Sequence, residues 1–281
     1  MTAHSYPPSK ILVPSDLGTT SEYALAFARY FHEKYGAGVH VLHAQHFELP
    51  PYFSSSQLEA LKRELKRSGK AAVEYVRRGS EAVLGFTPEV AVVESSPVEA
   101  ILEASTGGGT DLVIMGTHGR RGARRMWLGS VAERVLQQST LPVLAVREPP
   151  AATPFQRILC PVNLTEVGES ALEYAAEIAE AAESQLTVLH AVEKGEQPLN
   201  CSLVGEQIKR HCKVEEVVRH GSAARIILEA SDHLKPDLIV MGAERKSSLM
   251  GEIFSSTTAS VMQWAATPLL IVPKSVRAAG L

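Results

Sequence analysis

The chain carries the same sequence pattern twice, and this repeat constrains its fold more than any other feature. Four apolar segments of the first half return in the second. The pairs are Ile11–Leu17 with Ile158–Leu164, Val41–Ala44 with Val188–Ala191, Asp111–Gly116 with Asp237–Gly242, and Leu141–Val146 with Thr267–Val272. A long period with two copies indicates tandem domains, and 281 residues suffice for two domains of ordinary size.

A proline-rich segment, Glu148–Pro154, separates the copies and predicts the domain boundary. We expect a first domain over residues 1–148, a linker over 149–156 and a second domain over 157–281. The first two segment pairs are offset by 147 positions and the last two by 126, so the second copy is 21 residues shorter. A short second helix near residues 199–211 accounts for most of this difference.

Short apolar runs alternate with segments of helical periodicity in both copies. In the first copy the apolar runs are Lys10–Pro14, Val39–His43, Val90–Val93, Leu112–Met115 and Val143–Val146. Thr19 and Glu22 are spaced as a capping box before the first helix. Such alternation is typical of parallel β-α-β units covered on both faces. The sequence therefore predicts an α/β fold with two tandem, doubly wound, parallel-sheet domains.

A glycine-spaced loop follows the fourth predicted strand and leads into a helix. Gly116 and Gly119 are followed by nine residues and then by Gly129 and Ser130. Glycine lets the backbone approach an anion, and the first N–H groups of a helix favour phosphate. The loop has no acidic residue and four basic ones, which are Arg120, Arg121, Arg124 and Arg125. It predicts a nucleotide site, with an exposed glycine-rich turn as the alternative interpretation.

Asp16 follows the first predicted strand. Ligands of doubly wound sheets bind beyond the carboxyl ends of the strands, where the winding reverses. If it reverses between the first and fourth strands, Pro14–Asp16 and Met115–Gly116 border one crevice. Asp16 then accepts a hydrogen bond from a sugar hydroxyl or an adenine amine. In the alternative interpretation it only caps the turn into the first helix.

These residues resemble the universal stress protein family over both halves, roughly Lys10–Arg147 and Arg157–Lys274. The glycine loop matches the family signature at Gly116, Gly119, Gly129 and Ser130. Asp16 matches an aspartate that contacts adenosine, and Ala44, after His43, matches a residue of the adenine pocket.

The resemblance implies a five-stranded, Rossmann-type parallel sheet in each domain, similar to the adenine nucleotide alpha hydrolases. It implies ATP, ADP or AMP as ligand, with or without Mg²⁺, and a regulatory role in stress survival. The nucleotide-binding residues it implies are Pro14, Ser15, Asp16, Ala44, Met115, Gly116, His118, Gly119, Arg120, Gly129, Ser130 and Val131.

The second copy departs from the signature within the site. Asn163 replaces the aspartate, Arg245 stands in the place of Gly119, and Ser255 stands in the place of Gly129. A side chain there obstructs phosphate, and Glu244 and Glu252 offset the positive charge of the loop. We therefore expect one nucleotide per chain, bound in the first domain.

The second copy keeps its strand pattern, so we expect it to fold. Single-domain members of the family pair through their last strands. Pairing of Val143–Val146 with Leu269–Val272 in one chain would cover two sheet edges and give a pseudo-twofold dimer. A separate ligand or protein partner of the second copy is the alternative, and a homodimer of chains stays open.

The sequence lacks the motifs of fast ATP turnover, including the P-loop G-x-x-x-x-G-K-[ST]. We expect at most slow hydrolysis, in which His118 is the candidate acid, base or phosphate donor. Three cysteines indicate no disulfide framework. Cys160 is interpreted as a small core residue, and Cys201, His211 and Cys212 fit no compact zinc motif.

Net charge and hydropathy limit the kinds of partner that we expect the protein to bind. The net charge of −3 gives no overall field for nucleic acid, and neither a membrane-spanning run nor a signal peptide is evident. We expect a cytoplasmic protein. The basic second helix is interpreted as a solvated face, with RNA or an acidic partner as alternative. Tyr52 and Phe53 either pack below that helix or close over adenine.

Three function classes stay open, namely a nucleotide-dependent regulator, a slow ATPase or phosphotransfer protein, and a nucleotide-independent scaffold.

Overall fold

The computed structural model describes residues 6–45, 55–117, 128–192, 202–242, 245–248 and 251–274. At residues 55–68, 245–248 and 251–253 it describes the backbone alone.

The first repeat, residues 10–147, consists of alternating strands and helices. Its elements are β1 (Lys10–Pro14), α1 (Thr19–Tyr35), β2 (Gly38–Gln45), α2 (Ser55–Leu84), β3 (Glu89–Glu94), α3 (Pro97–Gly107), β4 (Leu112–Gly116), α4 (Ser130–Gln138) and β5 (Val143–Val146). Each predicted strand is present, with its bounds shifted by at most a few residues. Consecutive apolar side chains form the strands because both faces of the sheet are covered.

The second repeat, residues 157–274, follows the same order with two differences. Its elements are β6 (Arg157–Pro161), α5 (Glu166–Ala182), β7 (Gln185–Val192), α6 (Glu206–His211), β8 (Lys213–His220), α7 (Ala223–Leu234), β9 (Leu238–Gly242), β10 (Arg245–Ser248), β11 (Gly251–Phe254), α8 (Ser256–Trp264) and β12 (Leu269–Val272). The described part of the predicted second helix is α6, which has 6 residues against 30 in α2. The antiparallel hairpin β10–β11 was not predicted from the sequence.

The two repeats share one ten-stranded sheet, in the order β3-β2-β1-β4-β5-β12-β9-β6-β7-β8. The five strands that each repeat contributes to this sheet are parallel to one another, as predicted. β1 lies between β2 and β4, so the winding reverses between β1 and β4, which is the arrangement assumed for the crevice. The repeats join through antiparallel pairing of β5 with β12, in which Leu144 lies opposite Leu270. The predicted pairing of the last strands within one chain is confirmed.

An aromatic cluster below the sheet connects the repeats. Phe155, in the segment that joins the two repeats, contacts Phe27, Tyr30 and Phe31 of α1, with ring centroids 5.6 to 5.9 Å apart. Tyr6 lies edge-on to Tyr174 of α5 at 6.2 Å. Edge and offset ring pairs add to the free energy gained by burial. The junction of the repeats is therefore part of the core, and Cys160, fully buried in this same core, is the small core residue that the sequence predicted.

Candidate functional site

The crevice lies at the carboxyl ends of β1 and β4, and its first wall is the turn after β1. The Ser15 N–H donates to the Leu42 carbonyl of β2 at 2.9 Å. The Ser15 carbonyl is 2.7 Å from Nδ1 of His43. A carbonyl oxygen only accepts, so His43 carries its proton on Nδ1 in this contact. The backbone N–H and the carbonyl of Ser15 thus both bond to residues of β2, and these two bonds fix the turn to that strand.

Asp16 organises the same turn. Its Oδ1 accepts from the Ser21 hydroxyl at 2.7 Å and from the Gly18 N–H at 3.0 Å. Leu17, between them, has a left-handed φ of 62°. The helix cap of α1 is Gly18, which provides no side-chain hydrogen bond, so the predicted capping box at Thr19 and Glu22 is wrong. Asp16 instead holds the turn before the helix through Gly18 and Ser21, and its predicted contact with adenosine stays a prediction.

Gly116 at the end of β4 has a packing role that the sequence did not reveal. A Cβ added there would lie 2.6 Å from Oγ1 and 2.8 Å from the backbone carbon of Thr20. The start of α1 therefore approaches β4 too closely for any other residue. Gly242 in the second repeat meets Val167 of α5 in the same way, at 2.5 Å. Both repeats keep this glycine for a helix–strand contact, whatever binds beside it.

The second wall of the crevice is the start of α4. Gly129 is the N-cap residue, in extended conformation (φ −66°, ψ 145°), and no described side chain caps the helix. The Gly129 N–H donates to the Thr117 carbonyl at 2.7 Å, which ties the helix to the end of β4. Ser130 is exposed and Val131 is half-buried. The first amides of α4 thus lack a side-chain acceptor among the described residues, and such amides favour an anion.

The other predicted site residues divide into three groups. Pro14, Asp16 and Ala44 are half-buried and lie at the carboxyl ends of β1 and β2. The side chains of Ser15 and Met115 are buried, so these two residues border the crevice mainly with their backbone. His118, Gly119 and Arg120 lie outside the described residues, as do Tyr52 and Phe53.

The second repeat fills the equivalent positions with its own side chains. Oγ of Ser255, the N-cap of α8, accepts from the Thr258 N–H at 3.3 Å. Ser255 is 6% exposed. The side chain that replaces Gly129 therefore occupies the place where an anion would meet the helix. The hairpin β10–β11 occupies the chain between β9 and α8.

The turn after β6 also differs from its counterpart. Asn163 Oδ1 accepts from the Thr165 hydroxyl at 2.8 Å, and Thr165 in turn caps α5 by accepting from the Gly168 N–H. Gly168 stands where Ser21 stands in the first repeat, so no hydroxyl binds the residue at the Asp16 position from α5. His190 keeps the contact of His43, with Nδ1 at 2.9 Å from the Val162 carbonyl. Both repeats thus share the histidine contact that holds this turn, but they differ in the polar side chains at the Asp16 and Ser21 positions.

The described residues contain neither a metal-binding cluster nor a membrane-spanning helix. No group of three His, Cys, Asp or Glu side chains among them could hold a metal ion. None of the helices in the described ranges is long and apolar enough to cross a membrane.

The cysteines differ in burial. Burial raises the pKa of the Cys160 thiol to about 12 and, with the nearby Glu180 charge, that of Cys212 to about 11. The Cys212 thiol donates to the Ala176 carbonyl at 3.3 Å, and Cys201 lies outside the described residues.

The fold and crevice define a tandem α/β protein in which two doubly wound repeats share one sheet. The sequence pattern of the universal stress protein family matches residues 8–147, 154–200 and 196–273, and the chain belongs to this family. A universal stress protein of Thermus aquaticus is 35% identical over 139 residues, covering 49% of this chain and 97% of the relative. One from Methanocaldococcus jannaschii is 31% identical over 153 residues, covering 49% of this chain and 94% of that protein. These relatives each match about half of the chain.

A solved structure is similar over nearly the whole length. The universal stress protein of Archaeoglobus fulgidus aligns with a TM-score of 0.77 and 24% identity, covering 96% of this chain and 100% of the other. At this identity the likeness concerns the fold. It shows that the paired arrangement of repeats occurs in another member of the family.

Proposed function

We propose that the chain binds one adenine nucleotide, namely ATP, ADP or AMP, in the crevice of its first repeat, and acts as a nucleotide-dependent regulator in stress survival. The observation that carries the proposal is the contrast between two helix starts. α4 begins at Gly129 without a side-chain cap, whereas Ser255 caps α8. Family membership and the winding reversal beside α4 support the same interpretation.

The adenosine end of the ligand would lie against the turn after β1. Asp16, already oriented by Ser21 and Gly18, would accept from a sugar hydroxyl or the adenine amine. Pro14, Ser15 and Ala44 would border the base. A carboxylate fixed before the ligand arrives loses little conformational freedom on binding, which favours affinity.

The phosphate end would lie at the start of α4. The amides of Ser130 and Val131 would donate to phosphate oxygens, and the helix dipole adds to this attraction. His118, Gly119 and Arg120 of the loop would complete the contacts, with the other loop arginines supplying positive charge. Mg²⁺, when present, would be held mainly by phosphate oxygens. The proposed units are residues 1–148 for the binding domain and 157–281 for the non-binding domain.

A matched pair of substitutions tests the proposal. Aspartate is a favourable N-cap residue, so Gly129→Asp and Ser255→Asp both preserve a helix start while adding negative charge. In calorimetric titration of nucleotide-stripped protein, we expect about one equivalent of ATP to bind to the wild type and to Ser255→Asp. Gly129→Asp should show no measurable binding, because the carboxylate repels phosphate and occupies its place.

The outcomes show which repeat binds nucleotide and separate a nucleotide-binding protein from a nucleotide-independent scaffold. Two equivalents of similar affinity, or binding lost only in Ser255→Asp, would contradict the assignment to the first repeat. No binding to the wild type would favour a nucleotide-independent scaffold. ADP, AMP and cAMP serve as competitors, the last because one universal stress protein has been solved in complex with cAMP.

A further inference from the structure

Arg147 crosses the junction of the repeats. It follows β5 directly and is half-buried. Its Nη1 donates to the Gln263 carbonyl at 3.2 Å, and its Nη2 donates to the Met262 carbonyl. Both carbonyls belong to the last turn of α8, where helix carbonyls lack intrahelical partners and favour a cation. Burial lowers the pKa of Arg147, but a guanidinium remains charged at neutral pH.

A short series of hydrogen bonds joins Arg147 to the start of α4. The residue before it, Val146, accepts through its carbonyl from the Thr117 N–H at 3.1 Å. Thr117 is 3% exposed, and its own carbonyl accepts from the Gly129 N–H. The end of β5 therefore fixes Thr117, and Thr117 fixes the N-cap residue of the helix. A displacement of the β5 end would move the amides proposed to bind phosphate.

This arrangement is not repeated in the second repeat. The residue that corresponds to Arg147 is Pro273, which has no guanidinium and no N–H group. The residues that correspond to Met262 and Gln263 are Leu136 and Gln137, at the end of α4. The two repeats therefore differ here: α8 holds the end of β5 through Arg147, whereas Pro273 at the corresponding position after β12 cannot donate such bonds to α4.

We infer that Arg147 is a positioning residue for the phosphate end of the proposed nucleotide site, and that the second repeat completes this site by holding Arg147 through α8. The inference rests on the proposed function. It gives the repeat that has lost the signature a defined task, which is to orient the binding site of its neighbour. The proposed adenosine end, at Asp16 after β1 and Ala44 on β2, takes no part in the bonds that join Arg147, Val146, Thr117 and Gly129.

The test compares a ligand that has phosphates with one that lacks them. Arg147→Met keeps the aliphatic stem and removes the two donated bonds. We expect its Kd for ATP to rise about tenfold while its Kd for adenosine changes less than twofold, because only the phosphate end is displaced. Arg147→Lys, which keeps the charge but not the planar fork, should give an intermediate ATP affinity.

Arg225→Met is the matched control. Arg225 lies on α7, is exposed and pairs with Glu229 at 2.9 Å within its own helix. We expect this variant to bind both ligands as the wild type does, and circular dichroism checks that all variants are folded.

The inference and the proposed function fail in different ways. Equal weakening of ATP and adenosine in Arg147→Met would assign the residue a general role in holding the repeats together and would overturn the inference. Unchanged ATP affinity in both Arg147 variants would also overturn it, while leaving nucleotide binding intact. No ATP binding to the wild type would overturn the proposed function and the inference with it.

Discussion

The two repeats share a backbone plan and differ where α4 and α8 begin. Both keep the close approach of a helix to a glycine, at Gly116 and Gly242, and both keep the histidine contact to the turn after the first strand. Gly129 leaves α4 without a side-chain cap, and Ser255 caps α8. Features that hold the fold are thus kept in both copies, while features that would hold a ligand are kept in one. This difference separates packing residues from the proposed binding residues within a single chain.

The largest effect on stability is expected from the shared glycines. Gly116→Ala and Gly242→Ala each place a methyl group within 3 Å of the facing helix, so α1 or α5 must move. Overpacking of this kind costs about 1–3 kcal/mol of unfolding free energy. Urea titrations of the two variants should give similar losses. A loss at Gly242 alone, with Gly116→Ala affecting only ATP binding, would mean that Gly116 serves the ligand and not the packing.

A pH-dependent effect should follow from Cys160, which stands where the first repeat has Val13. Its pKa is raised by burial to about 12 from an ordinary 9.0, so the unfolded chain loses this proton first. The stability contribution of the buried thiol is complete below pH 9 and falls as pH rises toward 12, by up to about 1.4 kcal/mol per pH unit.

Cys160→Val removes the titrating group. Unfolding free energies measured for both proteins at pH 7, 9 and 10 should diverge only above pH 9, in favour of the variant. Cys212→Val, at a half-buried thiol of pKa about 11, serves as a comparison. A constant difference between Cys160→Val and the wild type at all three pH values would contradict the burial argument.

The smallest effect is expected from Ser255→Gly, which gives α8 the N-cap residue of α4. Glycine is a tolerated N-cap, so the loss should be only about 0.3 kcal/mol. The informative measurement is ATP stoichiometry, which should stay at one because Asn163 and Arg245 still differ from the first repeat. A second equivalent would show that the serine cap alone closes the second site.

Much of the fold could be predicted because it depends on local pattern. Apolar runs and their repetition gave the strands and their parallel order, and the resemblance to the family gave the pairing of β5 with β12. The hairpin β10–β11 escaped prediction because its strands have four residues each, and β10 consists of polar residues without the alternation of a strand. The capping-box prediction was wrong because the N-cap residue of α1 is Gly18, and the nearby Ser21 hydroxyl bonds the Asp16 carboxylate.

The candidate site was predicted only in part. The glycine signature lies in one short segment, so its spacing could identify Gly129, and the position after the first predicted strand could identify Asp16. The roles of Thr20, Thr117 and Arg147 depend on contacts between distant segments, and no local pattern signals them. A glycine predicted to serve phosphate proved to be required for the approach of α1. The sequence thus indicated where the candidate crevice lies, but not the long-range contacts that position the residues on its two sides.

The antiparallel pairing of β5 with β12 has a consequence for how such a protein can diversify. Two separate chains would pair at a rate set by their abundance, and a mixture of active and inactive copies would also form pairs of like with like. Covalent linkage makes the encounter intramolecular, at a high effective concentration that does not depend on expression level. Every molecule then contains one copy of each kind. If the first half binds nucleotide as proposed, mutations that abolish binding in the second half can accumulate without producing molecules that lack a binding half.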